Sequence, residues 1–428
     1  KFSSSSSSSS AIGSSSNLIA DASKRMLALG KDSVNFAKSI ERQYKAAEKF
    51  AIAYKEVSIN AGISYTKQQE FGKSFIASSE LAFRLGADIG DVKNAYSSLA
   101  DASGKARIFS PEEIENVIAL EKSTGLMGDS AAKLAERMDF MGKSAEQTQE
   151  HIGQLMIDSQ KLGLNASKVV KVLSDNFSEM QNMSFRGGVK GMSEMAKFAV
   201  KMRGNVSEML GMAEKFYEPE AAIEAVANLQ MLGGDVADAF GDPFEIMYLA
   251  RNKPEELAKK LQDMTENMMT FNEKTGEYEF PPEARMQLKS AGEQLGINTD
   301  TMIDMARQAS KIKDIKMNVS GNIVDEDMRE GIAGMARMKD GKWVVDINGE
   351  EIAIDSAKMS EDMAKELLSA PTTTDDAIMI TAKEAMTSNK YLDQLANANE
   401  AKILKDVNVF MGFEDTIKKP MDEFTKEM

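Results

Sequence analysis

The chain has 428 residues, 42% of them hydrophobic, enough to build real cores, so it is not disordered as a whole. Its 67 acidic against 52 basic residues give a net charge of −15, which argues against a phosphate backbone as the main partner. With no cysteine and one histidine, His151, the chain lacks disulfides, thiolate metal sites and cysteine nucleophiles, and most zinc sites and catalytic triads are excluded.

Residues 1–16 are serine-dominated and cannot bury enough apolar area to fold alone, so they read as a tether. They lack the apolar stretch of a signal peptide, and a first residue other than methionine fits a processed protein or a piece of a longer one. From residue 17 to 60 the spacing of Phe36, Ile40, Tyr44, Ala47, Ala51 and Tyr54 predicts one long amphipathic helix lying against another.

A short unit then recurs: Ala61-Gly62-Ile63-Ser64, Leu85-Gly86-Ala87-Asp88, Thr124-Gly125-Leu126-Met127-Gly128-Asp129, Leu162-Gly163-Leu164-Asn165 and Leu295-Gly296-Ile297-Asn298. Glycine can take the left-handed conformation that closes a helix, and the polar residue after it can cap the next. Five such corners, four of them between residues 61 and 185, predict an array of helices, assigned here to 61–269, and arrays build shape and contact surface more often than a reaction centre. Ser110-Pro111-Glu112-Glu113 adds a capping box with proline at the first helical position.

His151 falls in the polar stretch Glu146-Gln147-Thr148-Gln149-Glu150 and reads as a surface or half-buried side chain. Arg186-Gly187-Gly188-Val189-Lys190-Gly191 lacks the ending and the preceding strand of a phosphate loop and reads as a glycine-rich helix break. Beyond it Met192, Met195, Ala199, Met202, Val206, Met209, Ala213 and Phe216 alternate spacings of three and four, a coiled-coil-like seam that could serve either self-association or the interior of a bundle. Gly204 and Gly211 interrupt the run, and Arg203-Gly204-Asn205 is a credible break. The 31 methionines suit either a helical core or an adaptable interface.

Two β-hairpins are expected: Thr270-Phe271 with Glu279-Phe280 around Lys274-Thr275-Gly276, and Lys342 to Ile347 with Glu350 to Ile354 around Asn348-Gly349. The chain thus divides into a Ser-rich segment (1–16), a long helix (17–60), a helical array (61–269), a hairpin and helix (270–320) and a mixed region with a hairpin and C-terminal helices (321–428). The last includes Ser360 to Leu368 and a charged amphipathic tail from Glu414 to Met428. Paired carboxylates such as Glu112-Glu113, Asp325-Glu326-Asp327 and Glu350-Glu351 read as solvated faces or helix-start acids. The fold class is mainly α, an array of helices with glycine corners and coiled-coil-like seams plus two small hairpin excursions. No catalytic residue, cofactor or metal ligand is assigned, and no stretch approaches the roughly 18 apolar residues of a membrane span.

The most distinctive segment is Tyr217 to Leu261. It carries a Glu218-Pro219-Glu220 helix start, Leu229-Gln230-Met231-Leu232-Gly233-Gly234-Asp235-Val236, Gly241-Asp242-Pro243-Phe244-Glu245-Ile246-Met247-Tyr248, and Lys253-Pro254. Gly233-Gly234 ends one helix, Asp242 caps the next, and Pro254 starts another. With the corners at Gly125 and Gly163, this string resembles the central helical region of tail tape measure proteins of tailed bacteriophages, over about residues 115 to 310. The resemblance implies a protein that lies in the tail tube, sets tail length and leaves ahead of the DNA at infection. Its partners would be further copies of itself, the tail tube protein, tail-tip hub proteins and assembly chaperones. It would bind no specific nucleic-acid sequence and meet a membrane only at infection; its place would be the tail lumen, or the host cytoplasm during assembly. A fully helical chain of this length spans on the order of 640 Å, but the corners favour a folded-back helical body. The alternatives are a compact internal virion protein ejected with DNA and a tail-associated peptidoglycan hydrolase.

Overall fold

The computed structural model describes residues 49–272 and 277–369. The Ser-rich segment, the long helix up to residue 48, the Lys274-Thr275-Gly276 turn and the Glu414 to Met428 tail lie outside the described residues. The chain is mostly helical, with two small antiparallel sheets. Among the described residues no helix is long and apolar enough to cross a membrane.

Helix α1 is described over 49–60. It is followed by α2 (Gln68–Arg84), α3 (Ile89–Ser103), α4 (Pro111–Thr124), α5 (Gly128–Phe140), α6 (Ala145–Lys161) and α7 (Ala166–Gln181). The corners between them have one physical plan. Gly62, Gly86, Gly125, Gly163, Gly233, Gly234 and Gly296 all have positive φ, from +54° to +71°. At Gly86 the glycine N–H donates to Phe83 O and the Ala87 N–H to Ala82 O, 3.0 Å each, so two carbonyls orphaned by the helix end are satisfied. The pattern repeats at Gly163 with Gln160 and Ser159. It also explains the apolar residue after the glycine: Ile63, Ala87, Leu126 and Ile297 are buried and Leu164 is half-buried, folding the chain over the helix just finished. Gly104 and Gly142 are further left-handed helix ends that the recurring unit does not include.

The polar residue after the corner works as expected at most turns. Asp88 with Asp91, Ser110 with Glu113 and Ser144 with Gln147 each form a reciprocal capping box, and Asn165 and Asn298 accept from the first turns of their helices. Two corners depart from that plan. Ser64 leads into a 3-10 turn at Tyr65–Lys67, and α5 begins at Gly128 behind Met127, so Asp129 lies inside the helix and does not cap it.

The second half runs α8 (Val189–Met202), α9 (Val206–Lys215), α10 (Pro219–Gln230), α11 (Gly234–Ala239), α12 (Pro243–Asn252) and α13 (Pro254–Asn267). After the strand pair β1 (Thr270–Asn272) and β2 (Glu277–Glu279) come α14 (Pro282–Leu295), α15 (Thr299–Asn318) and α16 (Glu326–Met335). Strands β3 (Arg337–Lys339), β4 (Lys342–Ile347) and β5 (Glu350–Ala353) then precede α17 (Glu361–Leu367). The first hairpin pairs Thr270 with Glu279 and Asn272 with Glu277. The second is a three-stranded meander and not the two-stranded hairpin expected, because β3 pairs with β4 through Asp340-Gly341. Both connections place both turn residues at positive φ: Asp340 +50° and Gly341 +75°, Asn348 +54° and Gly349 +83°. That is the twist-matched turn of a tight hairpin.

One buried apolar cluster runs from Phe50 to Ala364 and continues across residues 269 and 320. Helix α3 packs on α5, α2 on α4, α7 on α8 and α13 on α15. Fifteen of the described methionines are buried and six stand exposed, so methionine here is mainly a core residue. Gly211 sits in α9 with open space where a Cβ would go. Gly211→Ala is therefore expected to raise stability by about 0.5–1 kcal/mol, read as a higher urea midpoint at unchanged slope.

Candidate interaction surface

The eight seam residues are the natural starting point, and the structure places all of them inside the chain. Met192, Met195, Ala199, Met202, Val206, Met209, Ala213 and Phe216 are each no more than 3% exposed. The run is interrupted where Arg203-Gly204-Asn205 marks a break: α8 ends at Met202, Arg203 behind it is left-handed at φ +55°, and α9 starts after Asn205. Within the break, the end of the Met209 side chain packs where a Cβ on Gly204 would stand. The stripe faces α7, α13 and α15 of the same chain, which fill the space a second copy would need. A spacing of three and four marks a buried face without saying which chain buries it.

The lone histidine is also absorbed by the fold. His151 on α6 lies 2.9 Å from the Ser193 hydroxyl on α8, but Ser193 is 3% exposed in the middle of its helix, shut away from any substrate. Burial first, then the Lys143 ammonium, holds the imidazole below its ordinary 6.5, with Lys197 adding to this and Asp158 opposing. A depressed folded pKa means that the unfolded chain takes up the proton first. The stabilising effect of the neutral ring is thus complete above pH 6.5 and lost as pH falls below it. Urea midpoints at pH 7.5 and 5.5 should fall further for the wild type than for His151→Gln, while the remaining titrating groups are common to both proteins. Among the described residues no three His, Asp or Glu side chains are placed to hold a metal ion.

The glycine-rich loop at Arg186 has a tertiary role. Gly188 sits at φ +56°, the Arg186 N–H donates to Asn252 O at 2.8 Å, and its guanidinium donates to the Tyr248 hydroxyl at 2.8 Å. The loop thereby fastens the start of α8 to α12.

What faces outward is the segment from Tyr217 onward. Its local signals operate as the sequence implies: Pro219, Pro243 and Pro254 each sit at the start of a helix, and Asp242 accepts from the Phe244 N–H at 2.9 Å. Phe216 stacks on Phe240 at 6.1 Å, and Arg251 donates to Tyr217 O, closing α10 to α12 onto α9. Helix α10 packs against both α12 and α14. Its C-terminal end is tied to α12 by Gln230 donating to Gly241 O at 2.6 Å, and to α14 by Gln287 donating to Leu232 O at 2.9 Å. Around these ties stand Met231 (84% exposed), Phe244 (64%) and Met286 (73%), with Ile223 and Tyr248 farther along α10 and α12. Phe244 and Tyr248 are four apart and share one face of α12. Glu220, Glu224, Asp242 and Glu283 are exposed on the same elements, but so is Arg285, and Glu245 pairs with Lys260 at 2.8 Å, so the apolar side chains stand among charges of both signs. Sequence reading missed this patch because an outward Met or Phe in a helix carries the same letters as an inward one. No family model, no curated protein and no solved structure matches the chain.

Proposed function

We propose that the chain is a non-enzymatic structural component of a bacteriophage tail, of the tape measure type. The observation that carries this reading is the string from Tyr217 to Leu261, whose residues both resemble that family and form the body's outward apolar patch through Ile223, Met231, Phe244 and Tyr248. A protein that works by filling and templating a tube needs outward contact surface, and exposed apolar side chains among charged ones supply it. The partners would be the tail tube protein, hub proteins, chaperones or further copies of the chain. The folded-back helices support a plug within the tube more readily than a bare rod, and a ruler built from this body would have to be held extended by the tube.

Gold-labelled antibody against the chain on purified, opened virions tests the proposal. Label along the tail lumen is the expected result, and a protein found only in host cytoplasm would overturn it. The fold-back also favours a second reading, a compact internal protein stored near the portal and ejected with DNA. In-frame deletion of an internal helical pair separates the two, since only a tape shortens the tail in proportion. For the hydrolase alternative, a clearing zone in a peptidoglycan zymogram would overturn the non-enzymatic reading.

A further inference from the structure

Asn348-Gly349 is the only Asn-Gly pair in the 428 residues, and the fold places it at the exposed tip of the β4–β5 hairpin. Both residues are left-handed there, at φ +54° and +83°. The asparagine side chain reaches out of the hairpin: its Nδ2 donates to Glu366 Oε1 on α17 at 2.7 Å, while the Gly349 N–H donates to Asp346 Oδ1 at 2.9 Å. Helix α17 otherwise rests on α16 and β4, with Ala364 as its one buried residue. A neutral amide therefore ties the hairpin to α17 at a turn flanked by two carboxylates.

An amide in this place carries a reaction of its own. Glycine has no Cβ to shield its nitrogen, so the Gly349 nitrogen can attack the side-chain carbonyl carbon of Asn348. A C–N bond forms as the N–H proton passes to solvent, and Nδ2 leaves as ammonia, protonated from water. Water then opens the five-membered imide at either carbonyl, leaving aspartate or, where the backbone now runs through the side chain, isoaspartate. Nothing is oxidised or reduced, and water is the only reactant added.

We propose that Asn348 is a self-modification site whose deamidation releases α17 from the β-sheet. The product carries a carboxylate where the amide donated, so the bond to Glu366 becomes a repulsion between like charges, to which Asp346 adds. Isoaspartate also lengthens the backbone of a two-residue turn, which disturbs the pairing of Ile347 with Glu350 beside it. The two hydrogen bonds engage the attacking and the leaving nitrogen while the turn is closed, so the fold slows the reaction. Exposed loop tips open at little cost, so it does not stop it.

Trypsin releases Trp343 to Lys358 as one peptide in which Asn348 is the only side-chain amide, so a gain of about 1 Da there reports this site alone. The full chain is incubated at pH 8.5 beside a synthetic peptide of that sequence, for about ten half-lives of the peptide, and at least on the order of a tenth of the native chain should convert. An unchanged mass would overturn the modification. Asn348→Asp supplies the aspartate product directly, and because Asp-Gly suits the same turn the variant keeps its hairpin. Amide hydrogen exchange in α17 should then run about fivefold faster or more than in the wild type, while α15 keeps its protection. Adding Glu366→Gln removes the repelling charge and should return α17 to within about twofold of wild type. Exchange in α17 that is unchanged by Asn348→Asp, or equally fast in the double variant, would sink the release of α17.

Discussion

Gly334→Ala will destabilise the protein by about 3 kcal/mol or more, although alanine is the better helix former. The reason is a backbone contact between α6 and α16. A Cβ on Gly334 would stand 2.5 Å from Leu162 O and 3.1 Å from both Cα and O of Gly163. Gly331, one turn earlier, sits closer still to Lys161 O, and a Cβ on Gly163 would strike Gly331 O. Three glycines thus let two backbones touch, and no flexible side-chain end can move aside. To admit the methyl group α16 must lift, exposing Ile332 and Ala333 and straining the Lys201–Glu330 ion pair. Gly125→Ala gives the contrast. It has the same left-handed requirement at φ +68° but open space around it, so it should cost only about 1 kcal/mol. Urea midpoints at constant slope measure both, and Gly331→Ala with Gly334→Ala should cost less than the sum because they block one contact. A Gly334→Ala protein within 1 kcal/mol of wild type would refute the backbone contact.

The same contact marks where sequence reading stops. Gly163 was legible as a corner, since its helix end, left-handed glycine, apolar follower and asparagine cap are consecutive in the chain. That α16 presses on the corner was not, because Gly331 and Gly334 are remote in sequence from Gly163 and nothing local marks what they touch. Local signals succeeded elsewhere for the same reason: the capping box at Ser110, the Pro-led starts of α10, α12 and α13, and the Asn348-Gly349 turn. Asp340-Gly341 was passed over because Arg337, Met338 and Lys339 are all exposed and show no alternation to mark a strand. The seam at Met192 to Phe216 was legible only in part. Its apolar spacing was real, but whether the face meets its own chain or another depends on where α13 and α15 go. The apolar patch is assembled from several helices and loops, so it leaves no motif.

Phe75→Ala should cost about 3–5 kcal/mol, comparable to or larger than the glycine effect, because it empties the centre of an aromatic cluster. Aromatics are only 7% of the chain, yet six gather between residues 50 and 109. Phe75 meets Phe50 edge-on at 5.3 Å, and lies 5.7 Å from Phe71 and 5.8 Å from Tyr96. Tyr54 stacks on Phe71 at 5.0 Å, and Tyr96 reaches Phe109 at 5.8 Å. Phe71, Phe75, Tyr96 and Phe109 are wholly buried, so these rings join α1, α2 and α3 to the loop that carries Arg107. Tyr96 is anchored as well, its hydroxyl donating to Phe109 O at 3.0 Å, and burial drives its pKa above the ordinary 10.0. Tyr54 is pushed up to about 12 by the same cause. Phe140, 76% exposed, supplies the control: Phe140→Ala should fall within about 0.5 kcal/mol of wild type. The form of the transition carries further information. The buried cluster is continuous from Phe50 to Ala364, so Phe75→Ala and Gly334→Ala should each shift one common unfolding transition and leave its slope unchanged. If Phe75→Ala instead splits the curve, with hydrogen exchange speeding up in α1 to α4 while α13 to α15 stay protected, the aromatic end is a separate cooperative unit and the continuous core is two cores in contact.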